Sequence, residues 1–426
     1  MKKTILPVCA ALLLTGGLVS CGSNGGATTQ NSKPVSLSVW VSTEQMEWAK
    51  GRIEDFKAQY PNKRYNITVS ACAEGDVQKA IKTDPTAAAD VFFFAGDHLG
   101  PLVEGNYLYE FPEAYAEALG EDINQNVLQS AMVDGKLYGI PYTPNSYFLF
   151  YNADKVTAED CKDLDTLLEK GKVMFEYTNG WYQTAFWYGT GVRFFGENGT
   201  DPTQATLNTP EGVKAAKAIR NYALSSDNFY NAGAGEVSQF TADSDIVAMV
   251  NGAWCAADLT TQLGNSLRAT TLPTFTVDGQ KYPLTATGDW KKCGVAKYTY
   301  SPADALNLAL FLTNADSMIE KLELFSEAPV LNSLANHEAV VSNEVANALM
   351  AQTNSNCVLQ PTITQMSNWW DAATGYANEL IAAKALEYDA ALDTDGDGVL
   401  GVTERFTDAQ CEEWAATLQE NLLAAI

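Results

Sequence analysis

The sequence predicts a mixed α/β protein of two lobes. Three observations lead there: strand-like and helical segments alternate along nearly the whole chain, the first five read βαβαβ, and 426 residues suffice for two domains.

Leu37, Val39 and Val41 alternate as a strand. Ala49, Ile53, Phe56 and Tyr60 then recur at helical spacing until Pro61 stops them. Tyr65, Ile67 and Val69 make the second strand, and a short helix around Val77 to Ile81 leads to Asp90-Val91-Phe92-Phe93-Phe94. That continuous apolar run suits a strand covered on both faces, so the opening predicts a parallel sheet with right-handed crossovers. Further strands are expected at 147–151, 173–177 and 246–250, with helices between them. One helix opens on Thr209-Pro210-Glu211, a cap residue, a proline at the first helical position and an acid in the first turn. No internal repeat is present.

The N-terminus reads as an export signal. Lys2 and Lys3 precede an apolar stretch centred on 10–14, interrupted by Thr15, Gly16 and Gly17 and too short to span a bilayer comfortably. Leu18-Val19-Ser20-Cys21 has the form of a lipobox, which implies cleavage after residue 20 and a lipid on the Cys21 sulfur. Residues 22–34 lack apolar periodicity and are rich in Gly, Ser, Asn and Thr, so 21–36 reads as a lipidated cysteine and flexible leash. The expected location is the outer face of a bacterial cell membrane. The net charge of -25 becomes -27 once Lys2 and Lys3 leave with the signal, which repels nucleic acid and favours a neutral or cationic ligand. Six cysteines remain after Cys9 and Cys21, with no CxxC or close metal-ligand spacing, and buried free thiols are expected.

Ligands of open α/β sheets collect at the carboxyl ends of strands. The residues there are Trp40 to Glu44, Phe94-Ala95-Gly96-Asp97 and Asn251-Gly252-Ala253-Trp254, with further aromatics at Trp181-Tyr182 and Trp369-Trp370. A sugar ring has an apolar C–H face that packs on an aromatic ring, while its hydroxyl edges need fixed polar partners. Glu44, Asp76, Asp97 and Asn145 suit those edges. The competing reading, that any one of these tryptophans belongs to the core, is about as strong for each taken singly.

With these segments the chain resembles the extracellular solute-binding proteins of ABC sugar importers, and among them the maltose- and maltodextrin-binding proteins. The resemblance rests on Leu37-Ser38-Val39-Trp40, the 90–97 run with 102–111 after it, Tyr151-Asn152-Ala153-Asp154, Asn251-Gly252-Ala253-Trp254, Leu272-Pro273-Thr274-Phe275 and Met366-Ser367-Asn368-Trp369-Trp370. It implies a periplasmic-binding-protein-like fold of class II type, with the ligand cleft between lobes joined by a three-segment hinge. The N-lobe would be 37–143 plus 290–329 and the C-lobe 148–286 plus 334–426, crossing near 143–148, 287–293 and 328–334. It also implies a monomer that delivers oligosaccharides to permease subunits. Trp254 and Trp370 would stack on sugar rings, Asp97 would accept hydroxyl hydrogens, and Glu44 falls where another acid is expected. Trp181 takes an aromatic position of the site, beside Tyr182. Phe94 stands where a tryptophan is often found, His98 where an arginine is, and Asn145 and Asn179 where acids can occur.

Asp393-Thr394-Asp395-Gly396-Asp397-Gly398-Val399-Leu400-Gly401-Val402-Thr403-Glu404 fits the twelve-position EF-hand loop. Asp393, Asp395, Asp397 and Glu404 would offer carboxylates and Val399 its carbonyl to a structural Ca2+. A helix is expected over 382–392 before the loop. After Glu404, Thr407 and Gln410 form a capping box for a helix whose apolar face is Cys411, Trp414, Ala415, Leu418 and Leu422.

Two histidines, and no zinc spacing, P-loop, dinucleotide fingerprint or GxSxG elbow, remove most familiar enzyme classes. A glycosidase survives as an alternative, since Asp97 with Glu44 or Asp76 could flank a sugar bond at about 5 to 9.5 Å. A surface scaffold resembling dockerins in the calcium-type loop is a third possibility, weakened by the single loop. Binding without catalysis is the expectation.

Overall fold

The computed structural model describes residues 33–425. The signal peptide, Cys21 and nearly all of the leash therefore lie outside the described residues. Two sheets organise the chain. In the first, Val35–Val41 pairs in parallel with Tyr65–Ala71 on one side and with Val91–Phe94 on the other. Ala286–Val295 then runs antiparallel to Val91–Phe94, and Ile140–Asn145 lies antiparallel to Ala286–Val295. The βαβαβ opening is thus parallel, and a long returning strand makes the complete sheet mixed.

All four residues of Val91–Phe94 are buried because apolar clusters cover both faces of this sheet. On one face Leu37, Val39 and Val41 meet Ala49, Ile53 and Phe56 of the helix Met46–Gln59, so the helical spacing of the sequence becomes the packing stripe. On the other, Phe92 and Phe94 meet Val77, Ile81, Leu99 and Leu102.

The second sheet has the order Leu267–Thr270, Phe148–Asn152, Ile246–Asn251, Lys172–Met174, Phe229–Tyr230. Lys172–Met174 is shorter than the run expected at 173–177. Helices Gly180–Gly189, Pro210–Ser225, Ser367–Lys384 and Asp408–Leu423 join one large core on this side of the molecule. The Thr209 hydroxyl caps its helix by accepting from the Gly212 N–H at 3.3 Å.

The chain moves between the sheets abruptly. Ile140–Asn145 belongs to the first and Phe148–Asn152 to the second, with only Ser146 and Tyr147 between. Ala286–Val295 pairs first with Cys357–Leu359 and then with Ile140–Asn145 and Val91–Phe94. Ala328 sits in a cluster of the second sheet while Val330 and Leu334 pack in the first.

One expectation near the C-terminus needs correction. The helix Ser367–Lys384 ends where one over 382–392 was expected, and the chain from 386 to 392 is irregular. Leu386, Tyr388 and Leu392 are exposed, so a helix there would have had no face to bury. The Arg405 guanidinium takes up the freed carbonyls of Ala383, Lys384 and Leu386 at 2.8–3.2 Å. A one-turn helix, Val402–Arg405, begins inside the calcium-type loop, with Glu404 accepting from the Gly401 N–H at 2.8 Å. Asp408–Leu423 follows as expected, capped by Thr407 and Gln410, with Cys411, Ala415, Leu418 and Leu422 fully buried.

All six cysteines of the described chain are unpaired, and burial pushes the Cys255 thiol up to about 12. Among the described residues no helix is long and apolar enough to cross a membrane.

Candidate functional site

A cavity of about 650 Å³ opens between the two sheets. Asp97 reaches it from the turn after Val91–Phe94, Glu176 and Thr178 to Trp181 from the segment after Lys172–Met174, and Trp254 from the turn after Ile246–Asn251. These are carboxyl ends of strands, where diverging chains leave room and polar backbone ends are available. Asn145 and Asp289 enter from the crossing strands, where they sit opposite each other in register. Trp370, Asp371 and Thr374 come from the first turns of Ser367–Lys384.

The aromatic wall is built from the backbone outward. Asn179 caps the helix Gly180–Gly189 by accepting from the Trp181 N–H at 3.0 Å, which sets that indole at the cavity edge. Trp181 stands edge-on against Tyr147 at 4.8 Å and lies 5.8 Å from Trp254, ring centre to ring centre. Trp254 is 49% exposed and folds back over Gly252, where a Cβ would sit 2.1 Å from its ring atoms. Gly252 is therefore required for that ring position. Of the Trp369-Trp370 pair, Trp369 is core: it is fully buried, edge-on to Trp187, and donates from Nε1 to the Gly180 carbonyl at 2.9 Å. Trp370 is half-buried and faces the cavity, one helical turn from Thr374.

The polar wall is dominated by carboxylates. Asp289 is buried, and Gly96 makes room for it, since a Cβ on Gly96 would lie 1.7 Å from its Oδ1. Asp97 faces the water of the cleft but lies deep between protein walls. Burial first, and the charge of Asp289 second, hold its carboxyl above the ordinary carboxylate range, with His98 and Lys292 pulling the other way. Burial likewise raises Glu176. It lowers His98 despite the nearby acids, and the His98 Nδ1 has no hydrogen-bond partner among the described residues. Lys292 is fully buried, with Nζ 3.3 Å from Asp289 Oδ1 and 2.6 Å from the Trp290 carbonyl.

Six of the residues singled out from the sequence therefore converge here: Asp97, Asn145, Asn179, Trp181, Trp254 and Trp370. Four do not line the cavity. Glu44 and Asp76 are exposed on the turns Thr43–Gln45 and Glu74–Asp76. Phe94 is fully buried against Phe92 and beside Leu99, because both faces of its strand are covered by core. Tyr182 is buried beneath the wall, donating its hydroxyl to Asn251 Oδ1 at 3.0 Å; that oxygen also accepts from the Gly252 N–H at 2.9 Å. Sequence reasoning missed Glu176, Asp289, Gln360, Asp371 and Thr374. A signal existed for Asp371 and Thr374, which follow Trp370 on one helix.

In the calcium-type loop, carboxylate oxygens of Asp393, Asp395 and Asp397 lie within 4.8 Å of one another. Gly396 and Gly398 hold φ of 76° and 83°, the left-handed region the tight turn requires. Glu404 returns to the start of the loop, accepting from the Thr394 hydroxyl at 2.7 Å. Val399 is exposed.

The chain aligns over 402 residues at 26% identity with a maltodextrin-binding protein of Bacillus subtilis (strain 168), covering 88% of this chain and 91% of that one. A galactooligosaccharide-binding protein of the same organism matches at 25% over 410 residues, 90% and 93% of the two chains. The maltodextrin-binding protein MalE1 of L. casei BL23, solved without ligand, superposes with a TM-score of 0.79 at 22% identity, covering 92% of this chain and all of that one. Its two-lobed mixed α/β architecture is the fold described above. Residues 51–349, more than half of the chain, match the profile of one family, and the chain belongs to it: the bacterial extracellular solute-binding proteins.

Proposed function

We propose that the cleft captures oligosaccharides, maltodextrins (α-glucans) first among them, and that the loaded protein hands them to the membrane subunits of an ABC importer. The observation that carries this reading is the wall of Trp181, Trp254 and Trp370 facing the carboxylates and amides of Asp97, Asn145 and Asp289 across one cavity. Indole faces suit the apolar C–H faces of sugar rings, and the acids and amides suit their hydroxyl edges. The three tryptophans stand with the second sheet, while Asp97, Asn145 and Asp289 belong to the first and its crossing strands. A bound sugar would bridge the lobes and favour the closed state by its greater affinity for it.

Capture is reversible in this reading, with no bond broken. The test is calorimetry with α-1,4-, α-1,6- and β-linked oligosaccharides, including β-galactosides, followed by a day's incubation with the tightest ligand. Binding confined to β-galactosides would move the assignment to that series. Shortened products would replace capture by hydrolysis.

The same proposal places the protein, as a monomer, at the outer membrane face through a lipid on Cys21, as its lipobox suggests. A Cys21→Ala variant is then expected to bind sugar with unchanged affinity but to collect in the culture medium. Retention in the cell fraction would count against the anchor.

We propose further that residues 393–404 hold a structural calcium ion through Asp393, Asp395, Asp397, Glu404 and the Val399 carbonyl. The ion would fix the loop, and through Arg405 the end of the helix that carries Trp370. Calcium at a hundred times its dissociation constant is expected to stabilise the protein by about 2.7 kcal/mol, read as a higher melting temperature that a chelator reverses. No shift and no bound metal in millimolar calcium would end this proposal.

A further inference from the structure

The cleft carries a charge that a neutral sugar leaves unanswered. Asp97, Glu176, Asp289 and Asp371 line it, and among the described residues no lysine or arginine does. Lys292 answers one of these acids, from beneath: its Nζ is committed to Asp289 and the Trp290 carbonyl. Burial lowers the pKa of His98, the other basic group beside Asp97, which weakens it as a counter-charge. Four acids thus share one buried lysine.

The aromatic wall has the same preference. Trp254 and Trp181 lie 5.8 Å apart beside these acids, and indole faces attract cations through their ring quadrupole. Asp289 approaches the backbone beside Asp97 because Gly96 has no side chain, so the repulsion its charge exerts on Asp97 is built into the fold. A ligand that brings its own positive charge relieves that repulsion, whereas a neutral one only rearranges hydrogen bonds around it.

We propose that the cleft prefers oligosaccharides bearing a protonated amine over neutral oligosaccharides of the same linkage, the ammonium sitting between the Asp97–Asp289 pair and the tryptophan faces. This rests on the oligosaccharide reading and narrows it to a ligand class. Of the cleft's acids, Asp97 sets the preference most strongly, since it faces the cleft between protein walls while the Lys292 ammonium is committed to Asp289.

The test compares maltotriose with maltotrioses carrying one amine in place of a hydroxyl at C2, C3, C4 or C6 of the terminal ring. A matching pair from the β-galactosyl series is included. Calorimetry at neutral pH and low salt is expected to show at least one amine form bound tenfold or more tighter than its neutral parent, with the ratio shrinking in high salt. In Asp97→Asn the ratio is expected to fall below threefold, whatever happens to the affinities themselves. Neutral sugars that bind while every amine form binds equally or more weakly would overturn this inference and leave the oligosaccharide reading standing. Failure of both series to bind would overturn both. A ratio unchanged in Asp97→Asn would overturn the role given to that carboxylate.

Discussion

Glu327→Gln is expected to lower the free energy of unfolding by about 3–5 kcal/mol, the usual cost of removing one partner from a buried ion pair. Glu327 Oε1 accepts from Lys291 at 3.2 Å and from Gln45 at 3.2 Å, and Oε2 accepts from Lys321 at 3.1 Å. Lys321 is almost completely buried, its Nζ 4.4–4.6 Å from the ring centres of Trp48, Phe93 and Tyr142. Lys291 also reaches Glu74 at 2.7 Å, and Glu74 accepts the Tyr142 hydroxyl. An amide at 327 leaves two lysine charges sharing less negative charge away from water, and that desolvated imbalance is the source of the loss. A decrease under 1 kcal/mol in urea unfolding at pH 7 would contradict it.

The pH dependence follows with its sign. Burial alone would raise the Glu327 pKa, but Lys321 and Lys291 outweigh it and hold the carboxyl below the ordinary glutamate value of 4.5. Its contribution is therefore present above that value and disappears as pH falls through the lower folded one. The wild-type protein should lose stability on acidification below pH 4.5 more steeply than Glu327→Gln, and the gap between them should narrow. The network also has a mechanical position, because Lys291 lies on the crossing strand Ala286–Val295 and Glu327 on the segment leading to Ala328.

Elements that bury one face were legible in the sequence, because the pattern of burial is the pattern of the residues. Leu37, Val39 and Val41, or Ala49, Ile53 and Phe56, announce strand and helix by spacing alone. The cleft was legible where an aromatic residue follows a strand, as at Trp254 and Trp181. Asp289 was not, because it lies in the middle of a long strand and becomes a site residue only through the register that sets it opposite Asn145 and through the gap left by Gly96. Glu176 was hidden for the same reason, in a segment that reads as continuing strand. Phe94 misled in the opposite direction. Its place at a strand end suggested the site, but both faces of that strand are covered, so its ring joined the core. At 382–392 the residues suit a helix locally, yet nothing packs against them, and helices in proteins persist mainly through the face they bury.

Trp254→Ala is expected to weaken oligosaccharide binding at least tenfold, a loss of about 1.4 kcal/mol or more, with little change in melting temperature. The two halves of that statement have separate physical grounds. Trp254 is half exposed and rests on Gly252, so its removal opens no core cavity and the fold has little to lose. Its ring is also the part of the wall that stands out into the cleft, 5.8 Å from Trp181, so a sugar bound there loses its largest apolar contact. Trp369→Ala is the contrasting variant. That indole is fully buried, packs on Phe194 at 4.6 Å and hydrogen-bonds to Gly180, so its loss should cost about 3–5 kcal/mol of stability. Calorimetric affinity and thermal unfolding, measured on both variants, separate the two roles of neighbouring aromatic groups. An unchanged affinity in Trp254→Ala would place the ligand off this wall and remove the main support for sugar capture in this cleft.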